Sequence, residues 1–457
     1  MKKIVLMAFA TLLSITVVAQ NNGVKTITLT DAERTLVEQN SDFAFNLFRK
    51  ARGTENYVIS PLSITYALSM MNNSAEGITR EEICQVLAGG QQTGYADVAT
   101  MNGFCRKMIT QSALIDPDTR VAIANTIYFN GDRNGISLKS AFKQAASTFY
   151  DANPSILRFS DEVTLDIINQ WVSDQTDGMI HDLLTAEDMK DPNLVSFLLN
   201  AICFKGAWRL PFEEKNSKQT FFGTDNKHTA MMMWQVNIFD YTQTDLYQSV
   251  IMPYGNGAYQ MTIFLPQEGK TLDDLLAALN GKNWNTAYYQ DYEVHLSIPR
   301  IETDTNQNLE DIMSSLGMKN AFLNDNGHGF LDLCYFGDNE ANSDACWISI
   351  MRQKAHLKLD EKGTEAAAAT VIGAVDKAMP PSVSFTADKP FLYIISDYFT
   401  GSIFFIGQYM GEVTTGIDEN VKIKELKNES IYNLQGQRIN FLQKGMNIVD
   451  GKKVWVK

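Results

Sequence analysis

The sequence predicts an α+β fold, in which helices dominate the first half of the chain and strands the second. Apolar residues recur at helical spacing in residues 31–52 and 63–73. Runs rich in β-branched and aromatic residues, which are typical of strands, lie at 294–298, 392–395 and 403–406. Because the two kinds of segment do not alternate along the chain, a βαβ repeat with a parallel sheet is not expected.

The predicted helices also carry signals at their ends. Thr79 and Glu82 match a capping box, which predicts that a helix begins there. A later helix is predicted over 309–316, and Gly317 is suited to end it. Near the C-terminus, an Asp-Gly pair between apolar runs predicts a β-hairpin over residues 448–454.

The composition favours one large folded unit with an acidic surface. Of 457 residues, 45% are hydrophobic, and no Pro-, Gly- or Ser-rich linker interrupts the middle of the chain. The net charge of −14 argues against a nucleic-acid partner, since neutralising phosphates requires clustered Lys and Arg. Beyond the first nineteen residues, no segment has eighteen uninterrupted apolar residues, so no membrane span is expected.

The sequence contains no recognisable catalytic or metal-binding motif. Its five histidines are scattered, with no H-E-x-x-H pair that would hold zinc. There is no G-x-S-x-G nucleophile motif, and residues 255–257 lack the third glycine of a nucleotide-binding loop. We therefore expect no enzyme activity, no cofactor and no metal, and a secreted hydrolase has no catalytic residues to support it.

Five cysteines are spread along the chain without metal-ligand spacing. Their odd number leaves at least one free thiol or an intermolecular bond. Cys334 and Cys346 are the pair most suited to form a disulfide. Cys203 lies in an apolar segment and is expected to be a small buried hydrophobe.

The most informative segment is residues 360–381. It runs from charged residues through four consecutive alanines to a pair of prolines, unlike an ordinary loop rich in turn residues. Its even-numbered positions are all small or apolar, as follows: Thr364, Ala366, Ala368, Thr370, Ile372 and Ala374. Since side chains alternate between the faces of a strand, the segment can enter a sheet with no charge on its core side. Glycine and alanine are poor strand formers, so the pattern indicates a loop in one state and a strand in another.

This stretch resembles the hinge and reactive loop of the serpins, a family of serine protease inhibitors. The family hinge is matched without a gap by Glu361, Lys362, Gly363, Thr364, Glu365, Ala366, Ala367, Ala368, Ala369 and Thr370. In serpins, the bond that is cleaved follows the sixteenth residue after the hinge glutamate. That register implies a reactive bond between Lys377 and Ala378.

Other segments resemble serpin motifs in the family order, from about Ser41 to Met410. The matches include residues 56–64, 200–212 and 389–407. The resemblance implies a sheet-opening region at Ser60, Pro61, Ser63, Asn200, Trp208 and Gln353. Gln353 departs from the family, which commonly has His there, although an amide can still donate and accept hydrogen bonds.

The resemblance implies a serpin fold with mostly antiparallel β-sheets, a large central sheet, a cluster of helices and an exposed reactive loop. It also implies inhibition as a suicide substrate, in which a protease is acylated on Lys377 and trapped when the loop inserts into the sheet. A lysine there suits a trypsin-like serine protease, bound covalently by a monomeric inhibitor. An inhibitor of a Lys-preferring cysteine protease and a non-inhibitory carrier or chaperone are the alternatives.

Three regions are expected along the chain. Residues 1–19 have the charged start, apolar run and small final residue of a signal peptide, which predicts a secreted, cell-surface or periplasmic protein. Residues 20–411 form the serpin domain, and 412–457 form a β appendage beyond the usual end of the family. The appendage resembles C-terminal modules of secreted Gram-negative bacterial proteins, which implies sorting or surface attachment. A passive β appendage with no such role is an equally weighted alternative.

Overall fold

The computed structural model describes most of the chain between residues 25 and 456. The described ranges are 25–92, 94–133, 135–191, 193–222, 228–323, 329–337, 339–340, 346–364, 380–413, 431–432, 438–439, 445–449 and 452–456. The predicted signal peptide, the hinge residues 365–370 and the reactive bond at 377–378 lie outside these ranges.

Within the described ranges, the secondary structure agrees with the predicted α+β class. The eight α-helices are α1 (Asp31–Ala51), α2 (Pro61–Asn72), α3 (Gly77–Leu87), α4 (Val98–Ile115), α5 (Ser140–Tyr150), α6 (Thr164–Gln175), α7 (Leu272–Ala278) and α8 (Glu310–Leu316). The strands are β1 (Tyr57–Ile59), β2 (Thr119–Asn130), β3 (Ile136–Leu138), β4 (Ser155–Leu157), β5 (Ser196–Ala207), β6 (Lys218–Phe222), β7 (His228–Gln243), β8 (Tyr247–Tyr254), β9 (Tyr259–Pro266), β10 (Gln290–Pro299), β11 (Ile301–Asn308), β12 (Cys334–Phe336), β13 (Ile350–Asp360), β14 (Gly363–Thr364), β15 (Ser382–Thr386), β16 (Phe391–Asp397), β17 (Ile403–Tyr409), β18 (Glu412–Val413), β19 (Ile431–Tyr432), β20 (Arg438–Ile439), β21 (Gly445–Val449) and β22 (Lys452–Val456).

Most strands belong to two large sheets. One has the order β1-β17-β16-β9-β8-β7-β10-β15, with β6 and β18 also paired to β7. The other, which we call the central sheet, has the order β11-β13-β14-β5-β2-β4. Neighbouring strands are antiparallel except for the parallel pairs β2–β4, β5–β13 and β10–β15. The mostly antiparallel architecture predicted from the sequence is therefore confirmed.

Helix α2 lies in the core beneath the central sheet. Ser60 caps it by accepting a hydrogen bond from the Ser63 backbone, and Pro61 occupies its first turn, where no backbone N–H is needed. All of its residues are buried, and it contacts β2 and β5. A helix that is buried all round has no polar face, which agrees with its apolar sequence.

Helix α6 and the segment after it cover the opposite side of the central sheet. A cluster of buried side chains joins them to β2 and β5, including Ile168 and Val172 of α6 with Phe197 and Leu199 of β5. Because β5 is covered on both sides, its burial is nearly continuous and does not alternate.

The predicted ends of two helices are confirmed, and one predicted cap is wrong. Helix α1 begins at Asp31, and α8 ends just before Gly317. Helix α3, however, begins at Gly77, so Thr79 and Glu82 do not form its capping box. Thr79 accepts a hydrogen bond from the backbone of Gly329, and Glu82 accepts two from the backbone of residues 319–320.

Three further predictions agree with the structure. Strands β21 and β22 pair antiparallel, as expected for the C-terminal hairpin, and form a small sheet with β19 and β20. Cys334 and Cys346 form a disulfide, and Cys203 is a buried thiol within β5. No helix in the described ranges has the length and apolar character needed to cross a membrane.

Candidate functional site

The first hinge residues already form part of the central sheet. Gly363 and Thr364 make up β14, which lies between the ends of β13 and β5. Thr364 is in register with Leu359 on one side and with Gly206 on the other. Since β14 runs antiparallel to both neighbours, it occupies the start of a strand position between them.

The side chain of Thr364 points into the protein and is fully buried. Its hydroxyl hydrogen-bonds to the hydroxyl of Tyr254 at 2.8 Å. The Tyr254 ring stacks on Trp208 with 4.3 Å between ring centroids and 14° between planes. The indole N–H of Trp208 donates to the Asp360 carbonyl at 3.0 Å. The two rings therefore form a platform that supports the start of the inserted strand.

Gly363 is the residue that allows this close approach. Its φ is +140°, a conformation that residues with a side chain rarely adopt. A Cβ atom would lie 2.2 Å from the carbonyl oxygen of Gly206 and 2.7 Å from the Trp208 nitrogen. Any other residue at this position would push the hinge out of the sheet.

A buried carboxylate, that of Glu361, anchors the chain two residues before β14. Arg300 donates to Glu361 from Nε at 3.0 Å and from a terminal nitrogen at 2.6 Å, and the Ser217 hydroxyl donates to the same group. The Phe212 backbone also donates to the Glu361 carbonyl at 2.8 Å. Burial alone would raise the pKa of Glu361, but the hydrogen bonds from Arg300 and Ser217 outweigh it and lower the pKa below its ordinary value.

Arg300→Gln is expected to destabilise the protein by about 1–2 kcal/mol at pH 7. Charge-assisted hydrogen bonds contribute about 1.5–3 kcal/mol, and solvent at the partly exposed Arg300 reduces this value. Because the pKa of Glu361 is lower in the folded state, its stabilisation is complete above the unfolded pKa, about 4.3. That stabilisation is lost as the pH falls through the folded pKa.

Thermal melts at several pH values test this expectation. The difference in Tm between wild type and Arg300→Gln should shrink as the pH falls below about 4. Arg34→Gln, on the exposed surface of α1, serves as the control and should melt like the wild type. A Tm difference that is equal at pH 7 and in acid would contradict the role given to Glu361.

Further along the boundary between β13 and β5, which we call the seam, Gln353 joins β13 to the start of α2. Its amide nitrogen donates to the Ser60 carbonyl at 3.0 Å, and its amide oxygen accepts from the Ser60 nitrogen at 2.9 Å. The same nitrogen donates to the side-chain oxygen of Asn200, which is directly opposite on β5. Gln353 thus both donates and accepts, as the sequence predicted for an amide in this position.

Asn200 extends the cluster across the sheet. Its amide nitrogen donates to the Ser63 carbonyl at 3.1 Å and also to the side-chain oxygens of Ser63 and Asn125. These buried groups tie β13, β5, β2 and α2 together. Buried amides with satisfied hydrogen bonds are costly to separate, because each would lose its partner in a dry environment.

The six residues of the predicted sheet-opening region therefore form two groups. Ser60, Pro61 and Ser63 at the start of α2 lie with Asn200 and Gln353 in the amide cluster. Trp208 lies eight residues beyond Asn200 along the chain, roughly 26 Å away at the rise of an extended strand. It belongs with the hinge platform. A role for either group in opening the sheet stays a prediction.

Sequence motifs did not reveal several residues of the site. Tyr254, Arg300 and Ser217 contact the hinge but are more than fifty residues from it along the chain. Asn125 is likewise far from Asn200 in sequence. In the described ranges, no group of three or more His, Cys, Asp or Glu residues is placed to hold a metal ion.

Comparison with known proteins defines the family. The family model described as Serpin (serine protease inhibitor) matches residues 38–411, so the chain belongs to the serpin family. Mouse neuroserpin is 28% identical over 397 residues, which cover 82% of this chain and 91% of the relative. Mouse serpin B11 is 29% identical over 401 residues, 81% of this chain and 97% of the relative. Membership supports protease inhibition as the general activity and fits a protein that is not a catalyst.

Solved structures give the same fold. The native thermophilic serpin tengpin matches with a TM-score of 0.72 and 24% identity, covering 85% of this chain and 96% of its own. Human thyroxine-binding globulin complexed with thyroxine matches with a TM-score of 0.70 and 24% identity, covering 82% and 98%. The fold is therefore shared by serpins with different molecular tasks.

Proposed function

We propose that this serpin inhibits a trypsin-like serine protease as a suicide substrate. The protease attacks the Lys377–Ala378 bond and becomes acylated on Lys377, and the new amine leaves on Ala378. The freed loop then continues β14 as a full strand, carries the protease with it and stalls deacylation. The observation that supports this most is β14 itself, which begins the strand at the required place.

The register of β14 determines where each later residue would lie. Counting from Thr364, position 365 would fall between Lys358 of β13 and Lys205 of β5. The residue there is Glu365, so charge favours its entry. Position 370 would fall between Gln353 and Asn200, because these two residues are paired directly across the seam.

Inward-facing positions fit the same register. The even-numbered residues of the loop would continue on the face of Thr364, which is buried. These residues are small or apolar as far as position 374, so no charge would enter the core. An exposed linker would not require small or apolar residues at every second position.

Cleavage is expected between Lys377 and Ala378. After incubation with trypsin, denaturing gels should show a covalent complex, and mass spectrometry of the released C-terminal fragment should find Ala378 first. Lys377→Leu should move inhibition towards chymotrypsin-like proteases, since the residue that acylates the protease sets the specificity. A fragment that begins elsewhere would mean that the register is wrong. A complex with a Lys-preferring cysteine protease and none with trypsin would favour that alternative class.

A non-inhibitory carrier or chaperone is the second candidate. Two observations favour this candidate. The fold is similar to that of thyroxine-binding globulin, and position 353 has an amide where serpins commonly have His. Clean cleavage by trypsin, with no covalent complex, would support this candidate. The small residues from 366 to 369 favour inhibition, because bulky or charged residues there would hinder insertion.

We also propose that the protein is exported and acts as a monomer outside the cytoplasm. Residues 1–19 have the pattern of a signal peptide, and mass spectrometry of the exported protein should find Gln20 first. The strands β19 to β22 form a small sheet of their own in the appendage. The assignment of this appendage to sorting or surface attachment rests on resemblance.

A further inference from the structure

The outer side of β7 carries large apolar side chains that are exposed to solvent. Trp234 is 42% exposed and Ile238 is 53% exposed, and Val236 between them is half-buried. Residues two apart on a strand point the same way, so these three share one side, which we call the Trp234 face. Grouped exposed aromatic and aliphatic side chains are typical of protein interaction sites.

Both stems of the reactive loop border this face. β15, which begins just after the loop, pairs with β10, and β10 pairs with β7. Ile238 is thereby in register with Glu293 and then with Ser382, about 10 Å away at two strand spacings. On the entry side, Glu361 accepts a hydrogen bond from Ser217, which directly precedes β6, and β6 pairs with β7.

A shallow groove lies beside Trp234 on the same side of the sheet. Its volume is 480 Å³, and most of its lining is polar, including Asn216, Lys218, Ser297 and Asp388, while Met232 and Trp234 are its apolar residues. A mostly polar groove beside exposed apolar side chains is typical of the rim of a protein interface.

The other end of the face is acidic. Asp240 and Asp291 lie directly opposite each other on β7 and β10, and Glu293 follows on β10. Burial and the neighbouring Asp291 raise the pKa of Asp240. Like charges placed opposite each other destabilise a sheet, and a partner with basic groups would relieve this repulsion.

We propose that the Trp234 face is a second contact area for the protease that cleaves the reactive loop. The partner is a serine protease that presents apolar and basic groups beside its active-site cleft. This inference rests on the proposed function, which places the protease at Lys377. Ser382 is five residues from Lys377, at most about 18 Å of extended chain. A protease of about 220 residues, with a radius of gyration near ~17 Å, therefore spans the distance from the loop to the face.

The double variant Trp234→Ala/Ile238→Ala tests this contact. The probe is cationic trypsin whose catalytic serine is replaced by alanine, so that it binds without acylation. Surface plasmon resonance should show about 10-fold weaker binding, as expected when two exposed anchors are truncated. Leu114→Ala/Val163→Ala removes exposed apolar side chains on α4 and before α6, and this control should bind like the wild type.

Active trypsin separates this inference from the proposed function. If wild type forms no covalent complex, but Trp234→Ala/Ile238→Ala weakens binding of inactive trypsin, the proposed function fails and the contact stands. If covalent complexes form and the double variant binds inactive trypsin as tightly as the control, the contact is wrong and the inhibitor stands. Dimers of the free wild-type protein in sedimentation that the double variant abolishes would assign the face to self-association and also overturn the proposal.

Discussion

Thr364→Arg is expected to convert the protein from an inhibitor into a plain substrate of trypsin. Thr364 is fully buried and its hydroxyl is bonded to Tyr254, so an arginine there would place a guanidinium in the core without a partner. Burying such a charge costs several kcal/mol, which expels β14 and opposes its return. Hydrolysis of the acyl bond would then be faster than insertion, and active protease would be released.

Denaturing gels give the measurement for this variant. The yield of covalent complex per cleaved inhibitor should fall at least about tenfold, equivalent to about 1.4 kcal/mol in the competition between insertion and hydrolysis. Thr364→Ser keeps a small side chain and the hydroxyl, and should trap protease like the wild type. Equal yields from the Arg and Ser variants would show that the side chain at position 364 need not face inward.

Cleavage of the loop is expected to raise the Tm of the protein by about 10 °C or more. Continuing β14 between β5 and β13 would add roughly ten backbone hydrogen bonds at about 1 kcal/mol each. The entropy of unfolding is about 2.1 cal/mol/K per residue, so a gain of this size in a domain of nearly 400 residues corresponds to a shift of about that magnitude.

Calorimetry of intact and cleaved protein measures this shift. The covalent complex should be absent from the cleaved sample, which is prepared with a protease that cuts the loop without being trapped. Cleaved Thr364→Arg provides the matched control, because its first inward position opposes insertion, and its Tm should rise less. Cleaved and intact wild-type proteins that melt within a few degrees of each other would favour the non-inhibitory candidate.

The sequence predicted the hinge because its pattern is continuous along the chain. Residues 361–364 carry the charge, the glycine and the small side chain that their positions in the sheet require. Gln353 and Asn200 were assigned to one region by resemblance to the family, and the structure then showed that they are paired directly across two strands. Patterns among neighbouring residues can be recognised in a single sequence.

Contacts between segments that are distant along the chain could not be predicted from the sequence. Tyr254 lies on β8 and Arg300 just after β10, and neither belongs to a motif that points to the hinge. Their partners are determined by how the two large sheets meet. The same cause explains the wrong cap at Thr79 and Glu82, whose side chains accept hydrogen bonds from the distant residues 319, 320 and 329. A local signal was overridden by tertiary hydrogen bonds.

The short strand β14 has a kinetic consequence for the proposed inhibition. The first residues of a new strand must lose backbone entropy, about 1–2 kcal/mol each, before neighbouring bonds compensate. Gly363 and Thr364 are already ordered as a strand in the native protein, so their backbone entropy has been lost before cleavage. Insertion after cleavage is therefore propagation from an existing nucleus.

The nucleus also excludes misalignment. A slip by one residue would turn Glu365 towards the core and the even-numbered small side chains towards solvent. Because Gly363 is held in register by Asp360 on one side and by Ala207 on the other, the growing strand has no alternative alignment to sample. Whether insertion is faster than hydrolysis of the acyl bond then depends on how fast the remaining residues pair with β5 and β13.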